Sequence, residues 1–226
     1  MKAIVLLSGG LDSIVNLKQA VDAGAVVRAL TFDYGQAAFE NEGRAAAAAA
    51  ERCRVPHSVI ALPWYGQVAR NALMGEGSAA ARPQPAAAEA RELLEEAWIP
   101  NRNGVFLSIA GAYAEGLGAE AVVIGLNREE ASVFPDNSAE FLEAADRLLA
   151  VSTLTGVRAV SYTVALDKKE IVEMGLAIGA PMDVAYSCYR RSPDQRMCGV
   201  CQSCARTKAA FMAAGVLERY AARFAG

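Results

Sequence analysis

The 226-residue chain carries a net charge of −3, with 54% apolar and 21% charged residues, the balance of a compact globular protein with one substantial core. The negative charge speaks against a nucleic-acid binder that works by neutralising phosphates, and no run of 18 apolar residues is present to span a membrane. The short apolar run at the N-terminus stops at Ser8 without the basic-then-apolar pattern of a signal peptide, so a cytoplasmic protein is expected.

In chain order, AIVLL (residues 3–7) suits a fully buried strand. Ser8-Gly9-Gly10-Leu11-Asp12-Ser13 follows, two glycines and then a helix over about 13–23, for which Asp12 or Ser13 would serve as cap. A strand, a glycine turn and a helix start bring free N–H groups and the positive helix end to one spot, an anion site. The string is neither GxxxxGK[ST] nor GxGxxG. AVVRALTF (about 26–32) reads as a second strand, FENEGRAAAAAAERC as a helix ending near Arg54, and HSVIAL as a third strand. Residues 62–98 break the rhythm with Gly, Pro and Ala and read as a long mobile insertion. NGVFLSIAGAYAEGLG then predicts a helix, AEAVVIGL a fourth strand and SAEFLEAADRLLAVSTLTG a helix capped by Asn137 with Glu140 in capping-box spacing. RAVSYTVAL predicts a fifth strand and KKEIVEMGLAIG a further helix. This alternation predicts an α/β, doubly wound, mostly parallel five-stranded sheet over residues 1–184, its ligand at the carboxyl ends of the strands beside 8–13, 33–36 and 125–136.

Residues 185–226 differ. Cys198, Cys201 and Cys204 follow C-x2-C-x2-C spacing with Cys188 ten residues upstream, while Cys53 stands alone. A cytoplasmic chain has little use for disulfides, and four thiolates close a tetrahedral Zn2+ site with no open position, a structural knuckle. An iron–sulfur cluster is the rival reading of the same spacing. The C-terminal basic residues Arg190, Arg191, Arg196, Arg206 and Lys208 read mostly as solvated surface. His57, the single histidine, follows Pro56 at a strand start and reads as structural; Val216, Leu217, Tyr220 and Phe224 mark a C-terminal helix that either packs in the core or forms an interface.

The SGGxDS string resembles the pyrophosphate loop of ATP pyrophosphatases. With LLSGGLDS (6–13), TFDYGQ (31–36), IPNRNGVFLSIA (99–110), IGLN (124–127), FPD (134–136), LDKKEIV (166–172) and SCY…CGVCQSCARTKAAF (187–211), the chain resembles the 7-cyano-7-deazaguanine synthases nearly end to end. The resemblance implies an adenine nucleotide alpha hydrolase-like fold with a zinc knuckle, and an ATP- and Mg2+-dependent ligase. That family converts 7-carboxy-7-deazaguanine through the amide to the nitrile with free ammonia, which accords with the lack of a glutaminase domain, and its members commonly form homodimers. By resemblance, Leu7, Ser8, Gly9, Gly10, Leu11, Asp12, Ser13, Thr31 and Tyr34 would hold ATP; Gln36, Asn103, Asn127, Phe134 and Asp136 would hold the deazaguanine. Asp12, Arg102 and Lys168 would carry the catalysis, and Cys188, Cys198, Cys201 and Cys204 the metal.

The departures fall on the substrate side. Ala37-Ala38 replace the family's Arg-His, Asn101 replaces the glycine of Pro-Gly-Arg-Asn, and in EASVFPDN (130–137) Ala131 and Val133 replace an aromatic residue and a glycine. They raise two alternatives: a paralogue that passes an adenylated deazaguanine acid to another amine, on a protein for example, and a tRNA thiolase-type enzyme with an iron–sulfur cluster.

Overall fold

The computed structural model describes residues 1–69, 74 and 97–225. Most of the expected insertion therefore lies outside the described residues; what is described at its start is a single turn, α3 (Tyr65–Val68). Five parallel strands, β1 (Lys2–Leu6), β2 (Ala25–Asp33), β3 (His57–Ala61), β4 (Ala121–Val123) and β5 (Arg158–Val160), lie in the order β3-β2-β1-β4-β5.

Strand alternation sends the residues of β1 to two cores. Ile4 and Leu6 pack with Leu107, Ala110 and Leu149 from α4 (Arg102–Gly116) and α6 (Ala139–Ser152). Ala3, Val5 and Leu7 pack on the other face with Ile14, Leu17, Ala46 and Ala49 from α1 (Leu11–Ala23) and α2 (Phe39–Arg52). The alanine run lets α2 lie close to the sheet. The chain runs outward from β1 to β3 and returns to β4 beside β1, so the strand order reverses between β1 and β4, and a crevice opens there.

A third core joins the C-terminal segment to this sheet. Leu11 and Val15 of α1, Ala38 and Ala45, and Ile171 and Val172 of α7 (Lys168–Ala177) share it with Tyr186, Cys188, Cys201, Cys204 and Phe211. Phe211, on α8 (Gln202–Ala213), stacks on Tyr220 of the short α9 (Leu217–Tyr220) at 4.4 Å, and Tyr220 and Phe224 are each 3% exposed. Tyr220 and Phe224 are core, and Val216 and Leu217 are half-buried against it.

Three local expectations are corrected. The N-cap of α1 is Gly10, without a side-chain bond; the Ser13 hydroxyl instead donates back to the Gly10 carbonyl at 2.9 Å. The cap of α6 is Ser138, whose oxygen accepts from the Phe141 N–H at 3.0 Å; Asn137 belongs to the preceding turn, Pro135–Asn137, and donates to Asp136. β4 and β5 are three residues long, shorter than their apolar runs: beyond Val123, Ile124 and Gly125 line the crevice, and beyond Val160, Tyr162 and Thr163 turn to bond Asn16.

Candidate active site

The loop after β1 is held from both sides. Gly9 has φ +82°, and a Cβ there would lie 2.3 Å from the Glu42 carbonyl of α2; a Cβ on Gly125, after β4, would lie 2.9 Å from the Ser13 N–H nitrogen. Behind the loop, buried Asn16 donates to the Asp12 carbonyl (2.9 Å) and to Thr163 (2.7 Å), and Thr163 donates to the Leu126 carbonyl (2.6 Å). Asp12 is 8% exposed. Its Oδ2 accepts from Asn127 (2.7 Å) and Lys168 (2.6 Å), while its Oδ1 is buried with no partner. Burial pushes the Asp12 carboxyl up, and Lys168 opposes it.

Lys168 is set by a capping box at the start of α7, in which Asp167 accepts from the Glu170 N–H (2.9 Å) and Glu170 accepts from the Asp167 N–H (2.8 Å). Its ammonium reaches Asp12 and also Glu130, at 3.0 Å. Although burial works the other way, Lys168 and Arg206 hold the Glu130 carboxyl down at about 2. Burial tends to lower Lys168, but the two carboxylates overcome it and raise the ammonium above its usual range.

These groups line one cleft of about 230 Å³ at the strand ends, together with Thr31, Tyr34, Gln36, Glu42, Trp98, Arg102, Asn103, Phe134, Asp136, Ser187, Tyr189, Ser203 and Arg206. Arg102 opens α4 after Asn101, which sits at φ 52°, the left-handed conformation that glycine and asparagine accept best; this accounts for asparagine where the resembled motif has glycine. Arg102 hydrogen-bonds the Tyr34 hydroxyl and faces Asp136. Burial pushes Tyr34 up to about 12 against the pull of Arg102. Asp136 is raised by burial, with Arg102 opposing. The Trp98 and Phe134 rings stand parallel, 5° apart in plane with centroids 6.4 Å apart. Glu42, accepting from Gln36 at 3.0 Å, is pushed by burial to about 7, although Gln36 and Arg102 pull it down.

Of the residues singled out in the sequence, the loop residues other than buried Gly9, together with Thr31, Tyr34, Arg102, Lys168, Phe134 and Asp136, line the cleft. The amides behave differently. Asn127 is 0% exposed; it holds Asp12 and caps α5 (Arg128–Ala131) by accepting from Glu130 N–H, so it positions and does not face the cleft. Gln36 is engaged with Tyr34 N–H, the Phe32 carbonyl and Glu42, and Asn103 donates to the Asp136 carbonyl at 3.0 Å. Thr31 donates to the Leu7 carbonyl (2.5 Å) and meets His57 at 2.7 Å, so the histidine is structural. Glu42, Trp98, Glu130, Tyr189, Ser187, Ser203 and Arg206 line the cleft without having been singled out, and Arg206 is not on the open surface to which the sequence assigned it. Of the other basic residues of that cluster, Arg191 pairs with Glu40 (2.8 Å), Arg196 donates to the Phe224 carbonyl, Lys208 lies over the Phe224 ring, and the Arg190 Nε is buried.

The four sulfurs of Cys188, Cys198, Cys201 and Cys204 lie within 4.8 Å of one another. Tetrahedral zinc–thiolate bonds of about 2.3 Å place sulfurs roughly 3.8 Å apart, and the Cys198–Cys204 and Cys188–Cys201 separations are 3.8 and 4.0 Å. The Cys198 and Arg190 N–H groups point at Cys188 Sγ (3.4 Å each) and the Cys201 N–H at Cys198 Sγ (3.3 Å), donors that suit thiolates. The cluster fits one four-thiolate metal ion.

Comparison with known proteins accords with this geometry. Two solved structures share the fold: an NMN synthetase from Francisella tularensis (TM-score 0.50, 18% identity, 98% of this chain and 82% of that one) and a 4-thiouridine synthetase solved with RNA and bound ATP (TM-score 0.55, 19% identity, 98% and 52%). Curated relatives named 7-cyano-7-deazaguanine synthase come from Pelotomaculum thermopropionicum, 47% identical over 96% of this chain and 99% of theirs, and from Desulforudis audaxviator, 45% identical over 95% and 98%. The family model described as queuosine biosynthesis protein QueC matches residues 2–215. A match of that span, with relatives this similar end to end, shows that the chain belongs to the queuosine biosynthesis protein QueC family.

Proposed function

We propose that the cleft activates the carboxylate of 7-carboxy-7-deazaguanine with ATP and carries it, with ammonia, through the amide to 7-cyano-7-deazaguanine, releasing AMP and pyrophosphate at each activation. The observation that carries the ATP reading is Asp12. Its buried, unpartnered Oδ1 beside a glycine loop and a helix N-terminus suits the Mg2+ that accompanies ATP. Lys168, fixed between Asp12 and Glu130, faces the same loop and would stabilise charge on the phosphates.

On the other side, Trp98 and Phe134 offer parallel aromatic faces to a planar base, and the Asp136 carboxylate offers an acceptor to its N–H edge. Arg102, a fork-shaped donor beside Asp136, suits the carboxylate. No described side chain is needed as nucleophile: the residues orient two reactants and stabilise charge. The four-cysteine site would hold zinc, structural because four thiolates leave no open position.

Metal-loaded protein incubated with Mg-ATP, the acid and ammonium, followed by mass spectrometry of the base and a pyrophosphate assay, tests this reading. Nitrile with two AMP and two pyrophosphate per product is expected. An amide that accumulates with one AMP, or no turnover of this acid, would contradict it.

A further inference from the structure

Three cationic side chains line the cleft among the described residues: Arg102, Lys168 and Arg206. Lys168 is matched by Asp12 and Glu130, and Arg102 by the Tyr34 hydroxyl and Asp136. Arg206 makes neither an ion pair nor a hydrogen bond with another described residue. Its charge is felt at Glu130, the carboxylate that also pairs with Lys168.

The position is built. Arg206 lies on α8, whose N-cap is Cys201 and whose first turn carries Cys204, so two metal-site cysteines anchor the helix. Ser203, three residues earlier on the same face, also lines the cleft, and Ser187 of the same segment lies 4.0 Å from where a Gly10 Cβ would stand. Two hydroxyls and a guanidinium from the knuckle segment thus line the same cleft as the Ser8–Ser13 loop, with Ser187 beside Gly10. Asp12, Glu130 and Lys168 alone carry one negative charge in excess, which a cation at Asp12 and the Arg206 guanidinium together would offset for a polyphosphate.

We propose that Arg206 is a catalytic residue that grips the pyrophosphate portion of ATP opposite the Ser8–Ser13 loop. As an oxygen of the acid bonds to the α-phosphorus, the bond from that phosphorus to the bridging oxygen breaks, and pyrophosphate leaves with the electron pair; the guanidinium meets the charge that builds on it. The inference rests on the ATP reading above. It gives the knuckle a part in the chemistry through one helix.

Calorimetric titration of metal-loaded wild-type, R206A and R206K protein with Mg-ATP, pyrophosphate, AMP and the acid tests it, with metal content and thermal midpoint as folding controls. R206A is expected to weaken ATP and pyrophosphate binding by about 10- to 100-fold while AMP and the acid change less than about twofold, and R206K to fall between. Unchanged pyrophosphate affinity in both variants overturns the assignment, as does a loss confined to the acid, which would place Arg206 on its carboxylate. If R206A does not hold its metal, R206K against wild type decides by the same ligands. Wild-type protein that binds neither ATP nor pyrophosphate defeats the ATP reading itself, a result distinct from a variant that matches a binding wild type.

Discussion

Single residues in this cleft are tuned by their neighbours more than by their own chemistry. Lys168 is the clearest case, because its ammonium ties the loop aspartate to Glu130 at the cleft wall. Lys168→Met should lower the rate of pyrophosphate release by about 10²- to 10³-fold, with Lys168→Arg recovering part of it, as steady-state kinetics would show. Glu42 gives a pH signature. Burial raises its carboxyl from 4.5 to about 7, so between those values the folded state binds the extra proton. Stability contributed by the protonated form is therefore present below about 4.5 and is lost as pH rises through 7. Glu42→Gln removes that loss, so its thermal midpoint should gain on wild type by several degrees from pH 5 to 8; a constant gap would refute the shift. Sequence showed the acidic and basic loop residues because their motif is local. It did not show Glu42 or Arg206, whose place depends on how α2 and α8 pack; Gln36 and Asn103, assigned to ligand, line the cleft with their amides also bonded to protein groups, and Asn127 is buried behind Asp12.

Among elements, helix starts organise the site. α1, α4 and α7 begin at Leu11, Arg102 and Lys168, each delivering a cleft residue in its first turn. Asn101 sets the entry to α4 at φ 52°. Asn101→Gly should cost nothing, whereas Asn101→Ala should cost about 1 kcal/mol in urea unfolding, because a Cβ without a local polar partner is disfavoured there. The metal knuckle sets the start of α8. Cys201→Ser, or chelation, should remove the bound metal and lower the thermal midpoint by at least about 10 °C, seen by metal analysis and calorimetry. Helices and the long second strand were legible because their periodic patterns are long. The short β4 and β5 were overcalled: their apolar runs continue past the ladder, where Ile124 and Gly125 line the cleft and Tyr162 and Thr163 are held by Asn16.

At the scale of the molecule, the sheet reverses its strand order beside β1 and opens a crevice there, and the C-terminal knuckle covers one side of it through a shared apolar core. The fold class followed from the alternation of strand and helix alone, and the four-cysteine site from spacing alone; the closeness of knuckle to cleft did not, since nothing in the linear order brings residue 206 near residue 12. The central claim is that the cleft activates a carboxylate by joining its oxygen to AMP. The most direct measurement is label transfer: the acid carrying ¹⁸O in both carboxylate positions is converted with ammonium and Mg-ATP, and the nucleotide product is weighed by mass spectrometry. Each AMP should carry one ¹⁸O, the first from the acid and the second from the amide oxygen. AMP without label, with ¹⁸O in water or in pyrophosphate, would contradict activation at the α-phosphorus and with it the account of the loop, Asp12 and Lys168.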